Sequence, residues 1–224
     1  MLWLALGAVA VVVAGFGVWL VSFAMEGRLA MSETSESSHR RTVAVVGDSN
    51  TEADSPDFAG GRIGEGSWVH ALLAEPTLEF AGGWALAGST SVDQAVALSS
   101  VPALGGPDEL VVMTGTNDLT YGLEFAVTER ALDVIVDRIA ARRVTVLAIP
   151  PRDDVLAAAA TEFNARLALL AGERGWDFLD GFTGVRMADG TFRPGTTTDG
   201  IHLSRELARQ LGERVAEHLV SRVS

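Results

Sequence analysis

Ser49 stands in Gly47-Asp48-Ser49-Asn50-Thr51, and Asp199 and His202 stand three residues apart in Asp199-Gly200-Ile201-His202-Leu203. A serine hydroxyl is too weakly acidic to supply an alkoxide at neutral pH, so it becomes a nucleophile only beside a base that a third group holds in place. An Asp and a His at this spacing share one face of a turn or helical start, so Asp199 can hold one imidazole nitrogen while the other faces Ser49. Taken alone, Asp48-Ser49-Asn50-Thr51 reads as a helix N-cap cluster, and His202 as a surface histidine before a helix that begins near Ser204. Their presence in one chain is what points to nucleophilic catalysis.

Such residues need a scaffold. Residues 42–46 form a short β-branched run that stops at Gly47, as a buried parallel strand would. Ser49 therefore falls just past a strand's carboxyl end, where open α/β sheets bind their ligands. Gly47 allows a tight exit, and the following residues can open a helix whose amide end favours developing negative charge. Further strands are expected near 79–87, 110–114, 143–149 and 176–179, and helices near 66–75, 91–99, 124–141, 155–173 and 204–221. Over 124–141, Phe125, Ala126, Leu132, Ile135, Val136 and Ile139 recur at helical spacing, with Glu129, Arg130, Asp133, Asp137 and Arg138 between them. The alternation predicts an α/β fold, a three-layer α/β/α sandwich about a parallel sheet of about five strands, flavodoxin-like, with right-handed crossovers. The alanine run 157–160 is expected on a helix surface. Connections are short except for residues 181–198, an irregular loop with Gly184, Gly190, Pro194 and Gly195 that is expected to border the site. With no insertion long enough for a large lid, the cleft is expected to be shallow and open, suited to a short acyl group on a larger partner.

Two more segments, Leu86-Ala87-Gly88-Ser89-Thr90 and Gly115-Thr116-Asn117-Asp118, complete an ordered set of four. From about Thr42 to about Ser221 the chain resembles the SGNH (GDSL-type) serine esterase and acylhydrolase superfamily. The resemblance implies Ser49 as nucleophile, His202 as base and Asp199 as its orienter, with an oxyanion held by the Ser49 and Gly88 backbone amides and the Asn117 side chain. Donors of this kind contribute on the order of 3 kcal/mol each to the transition state. In the family the strand before the glycine often carries an Asn and an extra Gly; here it reads Gly82-Gly83-Trp84-Ala85-Leu86-Ala87-Gly88. The expected function is a serine hydrolase that cleaves carboxylic esters through an acyl-enzyme, without a cofactor. Short-chain, acetyl-type esters on envelope glycans or small molecules are the expected substrates. A lysophospholipase- or thioesterase-type lipid acylhydrolase and a non-catalytic carbohydrate-binding domain are the alternatives. Arg152, after Ile149-Pro150-Pro151, is a candidate contact for an anionic or sugar substrate, or else a solvated loop arginine.

Composition removes other classes. With 17 Lys and Arg against 29 Asp and Glu, the net charge of −12 argues against a nucleic-acid surface and against electrostatic docking on anionic lipid. The absence of cysteine removes disulfides and a thiol nucleophile. The four histidines, His39, His70, His202 and His218, form no HxxxH or HExxH pair, so no metal site is expected. His70 is expected to be partly buried and hydrogen-bonded, His39 and His218 solvated. No GxxxxGK[ST] or GxGxxG supports a phosphate-binding alternative.

The first residues are a separate object. Residues 2–25 carry no charge, and 24 helical residues span about 36 Å, more than a hydrocarbon core of roughly 30 Å. The expected organisation is a transmembrane helix over 1–26, a serine-rich polar linker over 27–41 and a hydrolase domain over 42–224. A signal peptide cleaved after Ser22-Phe23-Ala24 is the alternative; the length of the apolar run and the lack of a basic segment before it favour a single-pass anchor. Arg28, Arg40 and Arg41 follow the apolar run, which by the positive-inside rule would keep the domain cytoplasmic. The resemblance to envelope-acting enzymes favours an extracytoplasmic domain.

Overall fold

The computed structural model describes residues 40–100 and 102–222. Five strands form one parallel sheet: β1 (Arg41–Gly47), β2 (Leu78–Ala85), β3 (Glu109–Met113), β4 (Arg143–Leu147) and β5 (Asp177–Leu179). Their order is β2-β1-β3-β4-β5, so the chain first steps to one side of β1 and then to the other. Such a reversal leaves a crevice at the carboxyl edge, beside β1.

Strand periodicity explains the layers. Val43, Val45, Val111 and Met113 point into one apolar cluster, while Ala44, Val46, Leu110 and Val112 point into another. The first cluster is closed by two helices, α2 (Trp68–Leu72) and α7 (Arg205–Ser221), through Trp68, Leu72, Leu211 and Val215. The second is closed by α3 (Ser91–Leu98), α5 (Phe125–Ile139) and α6 (Ala157–Arg174), through Leu98, Leu132, Ile135 and Leu167. Two shorter helices, α1 (Ser49–Glu52) and α4 (Thr116–Thr120), follow β1 and β3 directly. The three-layer α/β fold expected from the sequence is present.

Helix ends follow local chemistry. Thr90 and Asp93 form a reciprocal capping box at the start of α3, and the Ser204 hydroxyl accepts the Leu207 amide at 3.3 Å to start α7. The left-handed Ala140 ends α5 and Gly175 ends α6. The helix expected at 66–75 shortens to α2, capped at its start by the Ser67 hydroxyl, and the strand expected at 79–87 runs over Leu78–Ala85, ending before the Gly88 turn.

Register sets the site. Gly47 pairs with Ala85 of β2 and Met113 of β3, so the residues just past these three strands emerge side by side. A Cβ at Gly83 would lie 1.9 Å from the Val45 carbonyl oxygen, so the β1–β2 contact requires glycine there. The register shift between Val43 and Ala44 sits on the same pair of strands.

Several surface expectations are corrected. Ala157 and Ala160 are buried, because a helix packed on the sheet turns one side of an alanine run inward. His70 is exposed, while His218 is half-buried beside Asp177 and Arg222, where burial lowers its pKa. The long loop over 181–198 is irregular, yet Phe182, Val185 and Phe192 anchor it in the core. The expected transmembrane helix and residues 27–39 of the expected linker, with His39, lie outside the described residues, while Arg41, expected in the linker, opens β1 because it pairs with Leu78; no helix among the described residues is long and apolar enough to cross a membrane.

Candidate active site

The nucleophile segment is built by its neighbours. A Cβ on Gly47 would sit 2.1 Å from the Thr51 hydroxyl, so glycine alone permits the chain to turn straight from β1 into α1. Asp48 caps α1 by accepting the Asn50 amide at 3.0 Å. Asp48 is 1% exposed, its second oxygen has no hydrogen-bond partner, and burial pushes its pKa up to about 6. The Asn50 amide, the Thr116 hydroxyl and the charge of His202 pull the other way without offsetting burial, and Asp118 adds to the rise. The Thr116 hydroxyl stops short of a full hydrogen bond to Asp48.

Asp199 and His202 arrive on the loop before α7. Asp199 Oδ1 accepts the amides of Ile201 at 2.9 Å and His202 at 2.8 Å, which curls the segment so that Oδ2 reaches His202 Nδ1 at 2.6 Å. His202 Nε2 lies 3.0 Å from Ser49 Oγ. Burial pulls Asp199 upward, but the His202 amide, the His202 ring and the Ile201 amide together outweigh it and hold the carboxyl at about 2. An ionised Asp199 only accepts, so Nδ1 carries the ring proton and Nε2 is left to accept the Ser49 hydroxyl. The Thr197 hydroxyl donates to the His202 carbonyl at 2.7 Å and accepts the Gly200 amide at 3.0 Å, closing the loop from its other side.

Gly88 adopts φ +77°, and a Cβ there would meet nothing within 4 Å, so the backbone conformation and not crowding calls for glycine. Its neighbour Ser89 accepts the Asn117 side-chain amide on its carbonyl at 2.9 Å. Among the described residues no protein group accepts the Ser49 or Gly88 backbone N–H, so both remain available to an incoming oxygen. Asn117 is placed by Gly115, which has φ +120° and where a Cβ would lie 2.3 Å from the Phe163 ring, so no side chain is admitted. The next residue, Asp118, is buried and accepts the Ser91 amide at 2.9 Å, the Ser91 hydroxyl and the Thr128 hydroxyl at 2.7 Å. It locks α4 to α3 and α5.

The structure thus brings Ser49, Asp199 and His202 into one hydrogen-bonded series, with Gly88 and Asn117 linked through Ser89 on the adjoining strand ends. Arg152 is held against α4, the helix that carries Asn117. It is 2% exposed; Nε and Nη2 bind Asp154, and Nη1 donates to the Thr116 carbonyl at 3.2 Å and the Thr120 hydroxyl at 2.9 Å. The guanidinium is neither the solvated group nor the open substrate contact that its loop position suggested; it braces α4 through the Thr116 carbonyl and the Thr120 hydroxyl. Sequence reasoning missed Asn50 and Glu52. Asn50 Oδ1 accepts the Leu203 amide at 3.0 Å and Nδ2 donates to the Ile201 carbonyl at 3.5 Å, while Glu52 Oε2 accepts the Ala87 amide at 2.6 Å. The polar run after Ser49 was the available signal.

A parallel sheet with a serine, an Asp-oriented histidine and two further donors at its carboxyl edge is the arrangement of a serine hydrolase. Residues 45–210 match the model of the GDSL-like lipase/acylhydrolase family; the chain belongs to that family and is an ester hydrolase. Solved structures agree in fold. A member of the lipolytic protein G-D-S-L family from Veillonella parvula DSM 2008 is 17% identical with TM-score 0.63, covering 82% of this chain and 100% of that one. A carbohydrate acetylesterase family member from Sinorhizobium meliloti is 23% identical with TM-score 0.59, covering 81% and 98%. TesA is 23% identical with TM-score 0.63, covering 80% and 98%. Comparison with curated proteins gives no match by sequence.

Proposed function

We propose that this ester hydrolase works through an acyl-enzyme on Ser49 and prefers short, acetyl-type esters of glycans or small molecules. The observation that carries the reading is the series Asp199 Oδ2, His202, Ser49 Oγ, with contacts of 2.6 and 3.0 Å. Ser49 Oγ attacks the ester carbonyl as His202 Nε2 takes its proton, and Asp199 stabilises the imidazolium. The carbonyl oxygen, now charged, is held by the Ser49 and Gly88 amides and Asn117 Nδ2. Collapse expels the alcohol, which receives the proton from His202. Water then attacks the acyl-enzyme with His202 as base, releasing the carboxylic acid and restoring Ser49.

The open setting supports short esters. The side chains of His202 and Asp199 are 45% and 50% exposed, so a bulky alcohol such as a glycan can approach while little apolar wall is offered to a long acyl chain. The likeness in fold to a carbohydrate acetylesterase family member accords with this choice. By its sequence, the apolar segment over 2–25 would hold the domain at a membrane, on the extracytoplasmic side. Carbonate extraction and protease shaving of intact cells test that placement.

The decisive experiment is turnover of nitrophenyl acetate and labelling by a fluorophosphonate, in the parent and in Ser49→Ala. Loss of labelling and a fall in kcat of several orders of magnitude are expected, since only binding and the oxyanion donors remain. Activity within tenfold of the parent rejects the nucleophile.

A further inference from the structure

The helix that carries Ser49 also reaches the two loops on which the ester chemistry depends. Asn50 is 3% exposed, and its carboxamide spans His202: Oδ1 takes the Leu203 amide at 3.0 Å and Nδ2 gives to the Ile201 carbonyl at 3.5 Å. The residues bonded are the ones immediately before and after the histidine. Glu52, at the other end of α1, accepts the amide of Ala87, the residue before Gly88, at 2.6 Å. The far side of Gly88 is tied by Asn117 to the Ser89 carbonyl. Neither Asn50 nor Glu52 is placed to exchange protons with the ester, so both act through other residues.

We propose that α1 is the alignment element of the site, with Asn50 the positioning residue for His202 and Glu52 the positioning residue for Gly88. One four-residue turn then fixes nucleophile, base and oxyanion donor relative to one another; the proposal rests on the roles assigned to Ser49, His202 and Gly88 above. Catalytic groups must be held to within about 0.5 Å, and a 1 Å misplacement can cost about 10²-fold in rate. The neighbouring stretches cannot supply that precision alone, because residues 199–203 and 86–90 lie outside strands and helices. A carboxylate beside the oxyanion loop opposes developing negative charge, so the value of Glu52 lies in its geometry as an acceptor. That separates its role from an electrostatic one.

The full-length chain is tested as Asn50→Ala, Asn50→Asp, Glu52→Ala and Glu52→Gln, beside Ser49→Ala, for nitrophenyl acetate kinetics, thermal unfolding and amide hydrogen exchange. Asn50→Ala is expected to lower kcat about 10- to 100-fold with KM within about threefold, and to speed exchange of the Leu203 amide. Asn50→Asp keeps the acceptor for Leu203 and loses only the donor to Ile201, so its exchange effect is smaller; it also carries the test if the alanine variant does not fold. Glu52→Ala is expected to lower kcat about tenfold and expose the Ala87 amide to exchange, and Glu52→Gln, which can still accept that amide, to recover most of the loss. Unchanged exchange at Leu203 and Ala87 overturns the alignment role. So does faster exchange with kcat within twofold of the parent in both alanine variants. Full turnover by Ser49→Ala would overturn the hydrolytic reading instead, and the exchange data would then decide alignment alone.

Discussion

The Asn117 side-chain amide donates to the Ser89 carbonyl at 2.9 Å, so the Asn and the Gly88 turn are fastened to each other. One Nδ2 hydrogen is spent on that bond and fixes the direction of the other, which the proposed mechanism assigns to the oxyanion. A side chain pinned in this way loses little rotamer freedom in the transition state.

Asn117→Ala removes both functions. We expect kcat to fall about 10²-fold or more while KM moves little, because the lost donor acts chiefly on the charged oxygen and the Gly88 turn loosens as well. The thermal transition should survive, since Asn117 is only half-buried and the buried Asp118 holds α4. Loss of that transition, or a raised KM at unchanged kcat, would make Asn117 a structural residue or a ground-state contact.

Much of this was legible in the sequence because the residues obey short-range rules. The β-branched run before Gly47 and the helical spacing over α5 fixed strand and helix, and the Asp199–His202 spacing works as the sequence suggested because Asp199 curls its own loop through the Ile201 and His202 amides. What was not legible depends on register and burial. Arg152 follows a strand like a substrate-facing loop residue, but its own side chain turns inward, where Thr116, Thr120 and Asp154 take the guanidinium, while the residues just after it stay exposed. Asn50 and Glu52 bond to partners 153 and 35 residues away; the polar run after Ser49 marks the segment, but no local pattern announces those partners.

Arg152→Met tests the reassignment of that arginine. The substitution keeps much of the buried volume but strips the donors from the Thr116 carbonyl and from Asp154, which should cost about 2 to 4 kcal/mol of stability. Thermal unfolding should shift down while KM for small esters stays near the parent's. A raised KM at unchanged stability would return Arg152 to the substrate.

Asp48 supplies a pH signature. Burial raises its folded value to about 6 from an ordinary 3.8, so the native chain keeps this proton where the unfolded chain has released it. The resulting stabilisation is full below the unfolded value and is lost as the pH rises through about 6, a change on the order of 3 kcal/mol. Asp48→Asn cannot ionise, yet its amide oxygen can still accept the Asn50 amide. The stability of the variant relative to the parent should therefore rise between pH 4 and pH 7.5, by thermal or urea unfolding. A difference independent of pH would show that Asp48 does not titrate in this range.

Acyl chain length separates a small-ester hydrolase from a lipid one. Each buried methylene would add about 0.8 kcal/mol to transition-state binding, so an enzyme with an apolar groove gains steadily as the acyl chain lengthens. Leu86 after β2, Tyr121 at the end of α4 and Val155 on the loop after β4 are exposed and offer no enclosing wall. The long loop before Asp199 cannot swing over as a cover, because Phe182, Val185 and Phe192 are buried and a Cβ at Gly190 would lie 2.3 Å from the Ala157 carbonyl oxygen. Acetyl and butyryl nitrophenyl esters should therefore show higher kcat/KM than esters of ten or more carbons, measured below the micelle threshold so that aggregation does not mask the trend. An optimum at ten carbons or beyond would require those three side chains to close around the chain on binding, and would move the substrate from short esters to lipids.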